Sequence, residues 1–167
     1  LDDRFDHAVI EMGTSEPGEI ARLAAIVRPD VAVVTHVAVA HTAGLGTLED
    51  VAVEKGALFA SLAPFHTAVG CGDDEYVTRE LARSPAQRKV RYGLGPDNLW
   101  RARVLAVDAG GTRIALDRAP DERDPGAQLE LRVRLLGDAA AENIAAVAAV
   151  LEALGFVAHQ AFHARSQ

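Results

Sequence analysis

Carboxylates, an imidazole and an amine stand at or near the ends of apolar runs in this sequence. Glu11 closes the run in "HAVIEMG", His41 closes "DVAVVTHVAVAH", and Asp73 and Asp74 follow "HTAVGCG". In open parallel sheets ligands collect at the carboxyl ends of the strands, so Glu11 and His41 could lie side by side and share a ligand or a metal ion. Plainer uses are open to the same residues. A Glu at a strand end can cap the next helix, and a His after a strand can be an ordinary loop residue. Asp73 and Asp74 could meet a ribose or a metal, or supply a helix N-cap and a first-turn acid.

Lys55 is a different case. Of the 17 basic residues, Lys55 and Lys89 alone are lysines. In "TLEDVAVEKGALFASL" the apolar stripe of a helix runs through Leu48, Val51, Ala52, Leu58, Phe59 and Leu62, and position 55 falls on that stripe rather than with Glu49 and Asp50. A buried ammonium must be paired, neutralised or modified; the other outcome is a side chain that snorkels out at the helix edge. A lysine carbamate would be an anion able to bind a cation. His66, His159 and His163 show no ligand spacing.

The elements that must position these groups alternate. "HAVIEMG" reads as a buried strand. "PGEIARLAAIV" reads as a helix with Ile20, Leu23, Ala24 and Val27 on one stripe, stopped by Pro29. A second strand in "DVAVVTHVAVAH" leads to the Lys55 helix, N-capped by Thr47. A third, "HTAVGCG", leads to the helix "DEYVTRELARS". Apolar strands alternating with amphipathic helices predict a parallel sheet covered on both faces. The second half changes character. "KVRYGLG" is strand-like, two strands flank Gly110-Gly111 in a hairpin, and "AQLELRVRLLG" alternates strictly, as a half-buried antiparallel strand does. A last helix is expected over "DAAAENIAAVAAVLEALG", with Asp138 as N-cap and Gly155 as its stop. The fold class is therefore α/β: a mostly parallel sheet flanked by helices, with an antiparallel excursion.

Composition narrows the partners. The chain has 167 residues, 49% of them hydrophobic, enough for one domain with a core. A net charge of -7 argues against nucleic acid as the main partner. Charges or glycines interrupt every apolar run, so no membrane span is expected. The single Cys71 excludes an internal disulfide and suits a reducing compartment. With no signal-peptide pattern visible, the cytoplasm is the expected location. The first residue is Leu1 and the first strand follows almost at once, which reads as a piece of a longer protein.

Taken together, "EMGTSEPGEIARLAAIVRPDVAVVTHVAVAHTAGLGTLEDVAVEKGALF" resembles the central ATP-binding domain of the Mur ligases. The resemblance rests on an ordered series: E-[LM]-G-x-x-x-x-G-E-I, then P-x-x-A-V-V, then A-H-x-x-G-x-G-[ST]-L-E, then K-G. It continues more weakly through "TAVGCGDDEYV", "RYGLG" and "LLGDAAAENIAAVAAVLEALG". Residues 1–157 are read as part of that domain and 158–167 as a tail or linker.

The resemblance implies roles. Glu11 and His41 match magnesium ligands. Lys55 matches a carbamylated lysine that helps hold a second magnesium and serves catalysis. Asp73 or Asp74, and Asn143, match positions near the nucleotide. ATP and Mg2+ are the implied cofactors. Within the family the pattern is most similar to the branch that joins D-Ala-D-Ala to UDP-N-acetylmuramoyl-tripeptide in peptidoglycan synthesis. There ATP phosphorylates the terminal carboxylate and the dipeptide amine attacks the acyl phosphate.

Several positions depart from the pattern. The phosphate-cradling G-x-x-x-x-G-K-[ST] does not occur, and no Gly-Lys pair is present. Cys71 stands where the resemblance expects Asn, Ala139 and Ala140 where it expects His-Asn, Thr35-His36 where it expects Asn, and Ala57 where it expects Glu. The parent protein is expected to be a ligase and this chain alone inactive. The alternative is a divergent, non-catalytic relative with a binding or structural role. A folylpolyglutamate-type ligase explains less, because that branch does not show "PGEIARL" after its glutamate.

Overall fold

A computed structural model describes residues 4–38, 45–121 and 125–156. Its elements, in chain order, are α1 (Glu19–Val27), β1 (Val31–Val34), α2 (Leu48–Ala60), β2 (Thr67–Cys71), α3 (Glu75–Arg83), β3 (Arg88–Gly93), β4 (Trp100–Asp108), β5 (Gly111–Arg118), β6 (Ala127–Val133) and α4 (Gly137–Ala153). The strands form one mixed sheet in the order β1-β2-β3-β4-β5-β6. β1, β2 and β3 run parallel, β4 joins β3 in parallel, and β5 and β6 are antiparallel additions. The parallel layer with an antiparallel excursion is as the alternation of runs predicts.

β2 shows how both faces are covered. All five of its residues are buried. A Cβ at Gly70 would meet Phe59, Val77 and Leu81 of α2 and α3. The next residue, Cys71, turns to the opposite face and reaches Glu142 of α4. That alternation is the strand period itself. On the α4 side an all-alanine face (Ala140, Ala141, Ala145, Ala146, Ala148, Ala149) is buried against the sheet, and Trp100, Tyr92, Ile114 and Leu116 complete the core.

Three expectations need correction. Residues 7–10 do not form a buried strand. They are exposed, Val9 at 93%, and no ladder joins them to β1. They face β1 across a groove of about 820 Å³ lined by Phe5, Ile10, Val31, Val33 and Leu58 among others. An apolar run becomes a strand only when a neighbour supplies its hydrogen bonds, and β1 pairs on its other side, with β2. Second, β1 ends at Val34, well short of His41. Beyond it the backbone turns to side chains: Lys55 Nζ donates to the His36 carbonyl and Val37 N–H to Asp74. Third, Asp138 does not cap α4. Thr112 of β5 does so, its hydroxyl accepting from Gly137 N–H at 2.9 Å and donating to the Leu135 carbonyl at 2.8 Å.

The other boundaries follow local chemistry. Thr47 caps α2 in a reciprocal box with Asp50. Gly155, at φ 85°, follows the last turn of α4. His41, His159 and His163 lie outside the described residues.

Candidate functional site

The carboxyl ends of β1, β2 and β3 lie at one end of the sheet, and there the fold gathers His36, Lys55, Cys71, Asp73, Asp74 and Glu142. Lys55 arrives from α2. Its amine donates to the His36 carbonyl at 2.5 Å. Burial pushes its pKa below the usual 10.5, with Asp74 pulling the other way. The inward direction expected from the helical stripe is therefore seen, and the ammonium is not free in bulk solvent. Gly56, next in sequence, has a packing reason: a Cβ there would stand 2.7 Å from a carboxylate oxygen of Glu80 on α3. Glu11 is exposed and lines the same groove as Lys55.

The two aspartates have separate tasks. Asp74 is the N-cap of α3: Oδ1 accepts from Val77 N–H at 3.0 Å and Oδ2 from Val37 N–H at 2.8 Å. It ties the segment after β1 to the start of α3. Asp73 accepts from Leu94 N–H at 2.5 Å, Gly95 N–H at 3.1 Å and the Asn98 amide at 2.8 Å, pinning the loop after β3. Burial raises the Asp73 pKa, but those donors together outweigh it and the net shift is downward. Asn143 is exposed on α4.

Its neighbour Glu142 is the residue that faces the strand ends. Glu142 Oε2 lies 2.8 Å from His36 Nε2, and Oε1 accepts from the Cys71 thiol at 3.2 Å. His36 Nδ1 stands 3.5 Å from Asp74 Oδ2. Burial, reinforced by the Glu142 carboxylate, pushes the Cys71 thiol up to about 12. Glu142 was not anticipated. Its signal was the helical phase: Ala141, Ala145, Ala148 and Ala149 face the sheet, which puts position 142 at the edge of that stripe and 143 outside it.

Glu54 was also missed. It is buried on α2 at 7% exposure, and its carboxylate accepts from Gly18 N–H at 2.7 Å, Ile20 N–H at 2.8 Å and the Thr14 hydroxyl at 3.2 Å. The α1 N-terminus is thus satisfied from α2, so Glu11 is not its cap, and Glu11 has no hydrogen-bond partner among the described residues.

Comparison with known proteins shows what the chain and its fold are similar to. The family model of the Mur ligase middle domain matches residues 1–151. The UDP-N-acetylmuramoyl-tripeptide–D-alanyl-D-alanine ligase of Escherichia coli K12 is 44% identical over 62 residues, 37% of this chain and 14% of that protein. The ligase of the same name from Mycobacterium tuberculosis H37Rv is 31% identical over 148 residues, 88% of this chain and 28% of the relative. Among solved structures, MurF from Acinetobacter baumannii superposes with a TM-score of 0.82 at 20% identity, covering 97% of this chain and 34% of that one. The MurF ligase of Thermotoga maritima in complex with ADP gives 0.71 at 26% identity, covering 86% and 32%. The chain spans about a third or less of the length of these proteins.

Proposed function

This chain belongs to the Mur ligase family, matching its middle domain, and from that premise we propose that it is part of an ATP-dependent ligase that joins D-Ala-D-Ala to UDP-N-acetylmuramoyl-tripeptide through an acyl phosphate. The named relatives support the substrate pair. The observation that carries the reading is Lys55: a half-buried amine with a lowered pKa, held at the strand ends beside the groove that Glu11 lines.

The oxygen donors of the set, Glu11 and a Lys55 carbamate, fit magnesium. Glu11 offers an exposed hard oxygen, and His41 would complete the set as the resemblance implies. The neutral Lys55 amine can add to carbon dioxide: the N–C bond forms as one C=O π bond opens onto oxygen, and an N–H proton passes to water, which leaves a carbamate oxygen as a further hard ligand. Magnesium, when bound, would offset phosphate charge in the transition state. The remaining residues position. Asp73 and Asp74 fix the loops that would border the nucleotide, and Asn143 keeps an exposed amide for contact with it. The cytoplasm is the proposed location; among the described residues no helix is long and apolar enough to cross a membrane.

A non-catalytic, binding relative is the second reading, and Cys71, Ala139 and Ala140 favour it as departures on the nucleotide side. The test is phosphate release by the full protein that carries this chain. Release requiring both UDP-N-acetylmuramoyl-tripeptide and D-Ala-D-Ala, and reduced at least a hundredfold in Lys55→Met (about 2.7 kcal/mol of barrier), is expected. ATP binding without release in the presence of both substrates would establish the second reading. The 167 residues alone are expected to release no phosphate, since they contain no Gly-Lys phosphate-binding pair.

A further inference from the structure

We propose that His36, Cys71 and Glu142 form a binding site for a zinc-class transition-metal ion, with Asp74 orienting the histidine from behind. The site shares none of its three ligands with the magnesium set and does not depend on the ligase reading.

Three elements bring the donors together. His36 lies two residues beyond β1, Cys71 is the last residue of β2, and Glu142 sits near the start of α4. One ligand atom from each lies within 4.8 Å of the other two. The donor set decides the class of ion. Thiolate, imidazole and one carboxylate are the ligands of zinc and its neighbours, whereas magnesium and calcium take oxygen shells. Zinc bonds of about 2.0–2.3 Å demand small side-chain adjustments from these positions.

The surroundings match such a site. Metal-bound imidazoles commonly hand their other ring nitrogen to a carboxylate. Here Asp74 Oδ2 stands 3.5 Å from His36 Nδ1, on the far side of the ring from Glu142. Asp74 is itself fixed by Val37 and Val77 N–H. Cys71 is wholly buried, while the His36 side chain is 46% exposed. An ion would therefore sit under His36 with one face toward solvent: three protein ligands and a fourth position for water. On binding, the Sγ–H bond breaks, a metal–sulfur bond forms, and the proton that Cys71 now donates to Glu142 leaves to bulk water. No change of oxidation state is involved.

The test uses the reduced, chelator-stripped chain with Co2+ or Zn2+ as the sole added metal. Cobalt is expected to bind at one equivalent with a thiolate-to-metal charge-transfer absorption, and zinc to displace it. A thousandfold excess of magnesium is expected to leave it in place. Cys71→Ser, nearly isosteric, should abolish the absorption, and His36→Asn should weaken zinc at least tenfold. Asp74→Asn should weaken zinc 10- to 100-fold, as loss of an orienting carboxylate does. Circular dichroism without metal confirms each variant's fold, and exposed His36 supplies the decision if Cys71→Ser does not fold. A cobalt spectrum without the charge-transfer band, or zinc affinity unchanged in His36→Asn, would overturn the site and leave the three side chains as a hydrogen-bonded cluster.

Discussion

Lys55 donates to a backbone carbonyl from a half-buried position, and burial lowers its pKa. The unfolded chain then binds more protons than the folded one in the range below the ordinary 10.5. Stability attributable to this group rises as pH climbs through the folded pKa toward the unfolded value. Lys55→Met should lack that alkaline rise in urea midpoint. The same lowered pKa increases the neutral fraction able to take up carbon dioxide. Carbon-13 bicarbonate should give a carbamate NMR signal in the wild type that grows with pH and is absent in Lys55→Arg; no difference between the two would remove carbamylation from the proposal. The inward direction of Lys55 was legible because helix phase ties it to Leu48 and Val51. The meeting of His36, Cys71 and Glu142 was not, since the three are separated by tens of residues and meet only when α4 lies on the sheet. His36 and Cys71 were visible as departures from the family pattern, but a departure does not name its partner.

At the scale of elements, α1 shows a cap that no local motif announces. Its N-cap is Gly18, with no side chain to accept, and Glu54 of α2 satisfies the Gly18 and Ile20 N–H groups from more than thirty residues away. Glu54→Ala leaves two amides, one buried and one part-buried, without their acceptor. It is expected to cost about 2–3 kcal/mol, the range for a charged acceptor lost from buried donors, read as a lower urea midpoint with unchanged m. An unchanged midpoint would mean water replaces the carboxylate. Local signals worked where the partner is local: Thr47 with Asp50 starts α2, and strict alternation in β6 matches its alternating exposure. They failed where the partner is remote. Residues 7–10 have strand composition but no ladder, and Asp138 has N-cap chemistry at a helix start already served by Thr112.

Across the whole molecule, the β1–β3 part of the sheet and the β4–β6 part meet at a short parallel seam, registered at Tyr92 with Trp100 and Gly93 with Arg101. α4 crosses that seam, and its Glu152 carboxylate binds both sides. Oε2 accepts from Trp100 Nε1 of β4 at 2.8 Å and from Arg118 Nε of β5 at 2.8 Å; Oε1 accepts from Arg88 of β3 at 2.9 Å. Burial raises the Glu152 pKa, but the Arg118 and Trp100 hydrogen bonds outweigh it, and the folded value falls below 4.5. A carboxylate lowered in the fold contributes stability that is present above its unfolded pKa and is lost as pH falls through the folded one. Glu152→Gln should therefore cost about 2–3 kcal/mol at neutral pH, roughly 5–10 °C in Tm for a chain of this size. Its own stability should fall less steeply on acidification than the wild type's. Because the carboxylate bridges the seam, hydrogen exchange should separate the two parts: in the variant, β4 and β5 amides exchange faster than those of β2 and β3. Equal loss of protection on both sides would show that the alanine face of α4, and not Glu152, holds the sheet together.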